Sequence, residues 1–346
     1  MMRFCLQYLF LLMLAAGLSA CSLIDEDLSQ CETDYHIDYE LRLVTNITTE
    51  LQTELASHIE MSPTATALHN QLRDIFTDHA HDVNLSFYDV MEDSTRLHHE
   101  RHIMDATQSS YTLYIPIRKY LHVAIANIDD NHEVFLEADE RCHTARLVQP
   151  VRDTVESHST GVFTARLPMD IKQGVDQKFD VKLYMANCAS ALVLDTLGSH
   201  FKDIRVYASG FATGLNLADS TYRFDYTPIV KSRQVAVMGE EAPLCFTTVT
   251  FPSRDVEDTK TTIDTDDPFV SEAAENPIWR YKVYTTLADG TVTETVLGVK
   301  LPLRAGQFKL IRAKVQPDGS VVPKEPYVGA SVTLDWNEGT SWDVDV

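Results

Sequence analysis

Polar and apolar residues take turns along most of this chain, and a period of two predicts strands. Ile37, Tyr39, Leu41 and Leu43 alternate with Asp38, Glu40 and Arg42, so a strand over Ile37 to Val44 would bury one face and solvate the other. The same alternation returns at Val83, Leu85 and Phe87, at Tyr111, Leu113, Ile115 and Ile117, at Leu121, Val123 and Ile125, and at Phe163, Ala165 and Leu167. Between Thr48 and Ala80 the period lengthens. Leu68, Leu72, Ile75 and Phe76 stand at i, i+4, i+7 and i+8 behind Ser62 and Pro63, which predicts one amphipathic helix with Ser62 as cap and proline in the first turn.

The string from Asp170 to Gln177 has few apolar residues and reads as a boundary, giving an N-terminal domain over 35–172 and a C-terminal domain over 173–346. Phe179, Val181, Leu183 and Met185 open the second half. Strands follow at Ile204 to Ala208, Leu244 to Phe251, Trp279 to Thr285, Thr291 to Leu301, Phe308 to Val315 and Ala330 to Trp336. Asp289-Gly290, between Tyr284 and Val292, is the best hairpin signal in the chain. No glycine stands between Cys21 and Gly161, so Asp and Asn must supply the turns there, with Ile128-Asp129-Asp130-Asn131 the obvious one. The acidic stretch from Asp255 to Asp267 is expected to be an exposed loop. The fold class is mainly all-β, two sandwiches with a helical insertion in the first.

The first twenty residues differ from all that follows. Arg3 precedes an apolar run from Leu9 to Ala16, which breaks at Gly17 into Leu18, Ser19, Ala20 and Cys21. The run is too short for a permanent membrane helix and reads as an export signal over residues 1–20. Leu18, Ser19 and Ala20 before Cys21 have the form of a bacterial lipoprotein signal, in which the cysteine thiol receives a diacylglyceryl group. Acyl chains at Cys21 would hold the protein to a membrane, each buried methylene contributing about 0.8 kcal/mol. Residues 21–34, with Asp25, Glu26 and Asp27, would be a solvated, lipidated tether.

The chain has 346 residues and is 44% hydrophobic, enough to fill sizeable cores. It carries 29 Lys and Arg against 51 Asp and Glu, a net charge of −22. That sign argues against nucleic acid as a partner, because a phosphate backbone needs a basic surface. Once Cys5 leaves with the signal and Cys21 is acylated, Cys31, Cys142, Cys188 and Cys245 remain. Four thiols in an exported chain allow two disulfides. Pairing Cys31 with Cys142 and Cys188 with Cys245 keeps each bridge inside one half, and buried free thiols are the alternative.

Candidate chemistry is sparse. In His98-His99-Glu100-Arg101-His102 the histidines and glutamate are one residue short of the HExxH zinc spacing, and the segment is expected to be a polar connection without metal. Asp264, Asp266 and Asp267 lack the glycine and glutamate of a calcium loop. No nucleophile elbow, phosphate loop or dinucleotide fingerprint occurs, and neither catalytic residue nor cofactor is indicated. Four triplets, Asp93-Ser94-Thr95, Asp153-Thr154-Val155, Asp195-Thr196-Leu197 and Asp219-Ser220-Thr221, resemble O-glycosylation acceptors of Bacteroidetes, and chance matches of three residues are the plainer account.

The lipobox, the string Asp27 to Cys31, the Tyr39 to Leu43 strand, the repeated aromatic-apolar strands and the closing Val332-Thr333-Leu334-Asp335-Trp336-Asn337-Glu338-Gly339 together resemble the FimB-type fimbrillin-associated anchor family of Bacteroidetes. The resemblance covers essentially the whole chain after the signal and rests on the order of its motifs. It implies two transthyretin-like β-sandwich domains, no catalytic activity, a place on the outer membrane held by acyl chains, and a fimbrial shaft subunit as partner. It further implies assembly by strand complementation, in which main-chain hydrogen bonds complete a neighbour's sheet. Val332, Leu334 and Trp336 are the residues here that could form a donor strand, or else the last internal strand. An anchor keeps its N-terminus, so the Ile37 to Val44 strand should stay in place. The competing expectation is a surface glycan-binding lipoprotein with Trp279, Trp336 and Trp342 as a sugar platform.

Overall fold

The computed structural model describes residues 34–44, 62–75, 81–90, 94–103, 110–129, 131–173, 177–239, 242–255 and 277–334. Among them lie 22 strands, β1 to β22 in chain order, and one helix, α1. The fold is all-β, built of four sheets.

The first sheet joins β1 (Asp34–Val44), β2 (Asp82–Asp89), β3 (Arg96–Ile103), β4 (Ser110–Pro116), β5 (Lys119–Ala126), β9 (Phe163–Asp170) and β10 (Gln177–Met185) in the order β3-β2-β5-β9-β10-β1-β4. Alternation decides its inner face. In β4 every second residue from Tyr111 to Ile115 is buried, and in β1 Ile37 and Tyr39 are buried while His36 and Asp38 are exposed. β9 and β10 share only two register pairs, Tyr184 with Thr164 and Met185 with Phe163, whereas β1 and β10 share eight. The sheet hinges at that weak join into a four-stranded and a three-stranded layer facing each other. Ring contacts cross the gap, from Tyr39 of β1 to His122 of β5 and from Tyr111 of β4 to His102 of β3.

The five-stranded sheet is β16 (Arg233–Val235), β17 (Leu244–Thr250), β11 (Cys188–Asp195), β20 (Phe308–Val315) and β21 (Val321–Pro323), in that order. It is buried on both faces. Ala189, Ala191 and Val193 point into the core of the first sandwich, and Cys188, Leu192 and Leu194 into a second core. Helix α1 (Ser62–Ile75) lays Leu68, Leu72 and Ile75 against the first core beside Val235 and Val237, as its period predicts. Phe76 lies outside the described residues.

Across the second core stands the six-stranded sheet, β22 (Val328–Leu334), β19 (Val292–Val299), β18 (Trp279–Leu287), β12 (Phe201–Ser209), β15 (Ile229–Lys231) and β8 (Thr154–Glu156). Asp289-Gly290 turns β18 into β19, with Gly290 at φ +93° and the Thr291 N–H held by the Asp289 carboxylate at 2.9 Å. A small sheet of β14 (Thr221–Arg223), β13 (Gly214–Asn216), β7 (Arg146–Val148) and β6 (Phe135–Glu137) covers the outer face of β2 and β5 over a third core with Tyr88, Val123 and Ile125.

Two expectations need correction. The strand from Phe179 to Met185, read as the opening of the second half, is β10 and pairs in parallel with β1. Strands β6, β7 and β8, from the first half, lie in sheets that later strands complete. A cut between 172 and 173 therefore does not separate the sheets. The histidine segment is not a connection but the edge strand β3, hydrogen-bonded to β2 along its length. Among the described residues of the glycine-free stretch, the left-handed positions fall to Ser94, Asn127 and Ala138, with φ of 50°, 62° and 51°.

Candidate functional site

β22 is the last strand among the described residues. β22 pairs antiparallel with β19 from Val328 opposite Val299 to Leu334 opposite Thr293. Among the described residues β19 is its one neighbour, so its outer edge carries backbone groups without a strand partner. Val332 and Leu334 lie in this strand, and Trp336 lies outside the described residues. The strand is tied to the opposite sheet where it begins. Glu325, 9% exposed, accepts bonds from the Arg312 backbone N–H and from Arg312 Nε, both at 2.9 Å, and the Val328 N–H bonds the Glu325 carbonyl at 3.2 Å.

At the other end of the chain β1 is central in its layer, parallel to β10 and antiparallel to β4. Leu18, Ser19, Ala20, Cys21 and Cys31 all precede it, outside the described residues. Among the described residues no helix is long and apolar enough to cross a membrane.

The proposed bridge between Cys188 and Cys245 is overturned. Both thiols are free and buried. On the paired strands β11 and β17, Cys188 stands opposite Thr250 and Cys245 opposite Val193, five positions apart, or about 17 Å at 3.3 Å per residue. They also face opposite sides of the sheet, Cys188 into the second core and Cys245 into the first. Burial pushes both thiols up, Cys245 to about 12, which keeps them protonated and unreactive. Cys142 is likewise a free, buried thiol in the third core, and its expected partner Cys31 is not among the described residues.

On β3 the spacing of two brings His98, Glu100 and His102 onto one face. Glu100 Oε1 lies 2.7 Å from His98 Nε2 and Oε2 lies 2.9 Å from His102 Nε2, so one carboxylate holds both rings. Phe87 and Tyr111 flank the two rings at 5.6 and 4.5 Å between centroids. The arrangement closes the seam between the two layers of the first sandwich. Among the described residues no group of three or more His, Cys, Asp or Glu is placed to hold a metal ion.

Two other histidines are fully buried and were not singled out by the sequence. His122 Nδ1 donates to the Ser86 carbonyl at 3.0 Å, which leaves Nε2 to accept from the Tyr39 hydroxyl at 2.7 Å, and Phe87 stacks on the ring at 4.3 Å. His158 is held by the carboxamides of Asn187 at 2.6 Å and Gln149 at 2.9 Å. Because Asn187 Oδ1 accepts the Val162 N–H, its amide N–H faces and donates to His158 Nδ1, and a ring proton on Nε2 then requires the Gln149 carboxamide to present Oε1, which otherwise has no partner among the described residues, in place of its own Nε2. Burial holds both imidazoles well below their usual range, His122 at about 4 and His158, with Arg233 adding to the effect, at about 3.

Trp279 cannot serve a sugar platform. It is 1% exposed and its indole N–H donates to the Leu301 carbonyl at 2.9 Å. Trp336 and Trp342, with Asp264, Asp266 and Asp267, lie outside the described residues. Two of the Asp-Ser/Thr triplets are Asx turns: the Leu197 N–H bonds Asp195 Oδ1 at 3.1 Å, and Asp219 Oδ1 takes both the Thr221 N–H and its hydroxyl, at 3.0 and 2.6 Å.

The class these features define is an all-β protein of layered sandwiches, with the last of its described strands at a sheet edge. No protein-family model matches the chain, and no curated protein matches it. Among solved structures it is similar to a candidate adhesin from Bacteroides ovatus ATCC 8483, at 12% identity and a TM-score of 0.53, over 87% of this chain and 97% of that one. Weaker likenesses are to the fimbrial anchor protein Mfa2 from Porphyromonas gingivalis, with 13% identity, TM-score 0.42 and 74% and 91% coverage, and to the tip fimbrial protein Mfa3 from the same organism, with 12% identity, TM-score 0.42 and 87% and 100% coverage. At such identities the likeness to the candidate adhesin establishes a shared fold.

Proposed function

We propose that this chain is a non-catalytic lipoprotein of the bacterial outer membrane, anchored by acyl chains on Cys21, that anchors or terminates a surface fimbria by exchanging a strand with a fimbrial shaft subunit. The observation that carries the reading is polarity. The lipidation signal stands at one end of the sequence, and the strand at the other end has a backbone edge without a strand partner among the described residues. The fold shared with the candidate adhesin supports an adhesive role at the cell surface. In the isolated chain β19 satisfies β22, and exchange transfers that seven-residue ladder, in which Val332 and Leu334 alternate with Thr333, to a neighbour.

The test separates membrane, partner and fold. Cys21→Ala should abolish acyl labelling and release the protein from the outer membrane. Removing the residues after Gly329 should leave lipidation and a cooperative unfolding transition in place while fimbriae detach from the cell. Loss of that transition would make β22 a structural strand and refute exchange. Fimbriae that stay attached and of normal length when the whole gene is deleted would refute the anchor role itself.

A further inference from the structure

The backbone register bears on how the molecule carries load. Whatever holds the chain ahead of Asp34 pulls on the N-terminal end of β1. β1 runs parallel to β10 through eight consecutive register pairs, from Ile37 opposite Gln177 to Val44 opposite Tyr184, a stretch of about 26 Å at 3.3 Å per residue. The chain leaves β10 at Met185, at the opposite end of that stretch, and reaches β11 after two residues. Tension between the tether and the second half therefore enters at one end of a parallel pair and leaves at the other. In that geometry the evenly spaced hydrogen bonds of the ladder are loaded together along the strand axis, and none can open before the rest. An antiparallel hairpin pulled at its two ends would instead open one pair at a time.

We propose that the β1–β10 ladder is a shear-loaded mechanical clamp, which bears the tension of an attached fimbria and shields residues 45–176 between its strands. The ladder to β4, from Asp34 opposite Pro116 to Glu40 opposite Ser110, grips the other side of β1 and is loaded along the same axis. Ile37 and Tyr39, each 1% exposed, lock β1 into the core, so sliding the strand by one residue would turn its apolar face outward. The second half repeats the plan: β11 is entered at its N-terminal end and pairs in parallel with β20 from Ala189 opposite Phe308 to Asp195 opposite Lys314. The proposal rests on the anchor reading for the direction of load. The clamp itself is a property of the isolated molecule and can fail while that reading stands.

Single-molecule pulling tests it on the full mature chain carrying Cys21→Ser and Cys31→Ser and a peptide handle at its N-terminus. The remaining native thiols are buried, so an added surface cysteine takes the second handle. In one protein that cysteine is Lys178→Cys, at the N-terminal end of β10, and in the other Tyr184→Cys, at its C-terminal end, with Lys178→Ala so that both lack the 2.6 Å ion pair to Glu40. Either attachment releases nearly the same length, about 500 Å for some 150 residues. At one loading rate, attachment at position 184 should rupture at a force several-fold higher than attachment at 178. Equal forces, or a higher force at 178, would overturn the clamp.

Discussion

Acidification should destabilise this protein through two buried histidines. His122 and His158 are 0% and 1% exposed, neutral, and hydrogen-bonded at both ring nitrogens. In the unfolded chain each takes a proton near pH 6.5, whereas the folded chain resists until about pH 4 for His122 and about pH 3 for His158. Below pH 6.5 the unfolded state thus binds more protons, and stability is full above that pH and is lost as the pH falls toward the folded values. At pH 5 each group has removed about 2 kcal/mol, about 4 kcal/mol together, against a typical total of about 5 to 15 kcal/mol. His99, depressed by its partial burial and by Arg96, acts in the same direction. The carboxylates of Asp195, Asp219 and Asp318, held below their usual range, titrate only further into acid. Urea unfolding measured by tryptophan fluorescence from pH 8 to 5 should show the stability falling below pH 6 at nearly 3 kcal/mol per pH unit, the slope for two protons. His122→Gln should lower stability at pH 8 yet cut that slope by about half. A flat profile down to pH 5, or a variant with the parent slope, would refute the reasoning.

Three further outcomes follow from single contacts. A thiol reagent should leave Cys142, Cys188 and Cys245 unmodified in the folded protein and label all three in denaturant, without prior reduction, as read by mass spectrometry. Gly210→Ala should destabilise the second sandwich by about 2 to 4 kcal/mol in urea titration, because φ is +95° there and a Cβ would lie 2.8 Å from the Ile278 carbonyl oxygen and Trp279 Cα. Glu325→Ala should cost about 2 to 3 kcal/mol in the same assay by removing the carboxylate that takes both the Arg312 backbone N–H and Nε, and Glu325→Gln should recover part of it.

What was legible in the sequence was what depends on neighbours along the chain. The period of β1, β4 and α1, and the turn at Asp289-Gly290, are local: side chains two or four residues apart share a face whatever the rest of the chain does. The histidine strand is not legible in the sequence because its alternation is between polar residues, so burial leaves no hydrophobic trace. His98, Glu100 and His102 face inward and satisfy one another instead of being apolar. The buried His122 and His158 gave no signal for a related reason. Their partners, Tyr39 of β1, Ser86 of β2, and Gln149 and Asn187 of the connections after β7 and β10, are far apart along the chain, and a neutral imidazole in a core looks like any other histidine until those partners are known.

Short windows and composition suffice to predict a chain of mainly strands with a helix behind Ser62, a strongly acidic balance, and a first twenty residues with the form of a lipoprotein signal. Pairing, face and partition were decided only by the tertiary structure. Assigning Gln177–Met185 to the first sheet, setting β6 to β8 among later strands, and placing Cys188 and Cys245 on opposite faces all depend on which strands lie side by side. Strand pairing is a contest among many edges of similar hydrogen-bonding capacity, and it is settled by which arrangement buries all the apolar faces at once. No window of the sequence contains that sum.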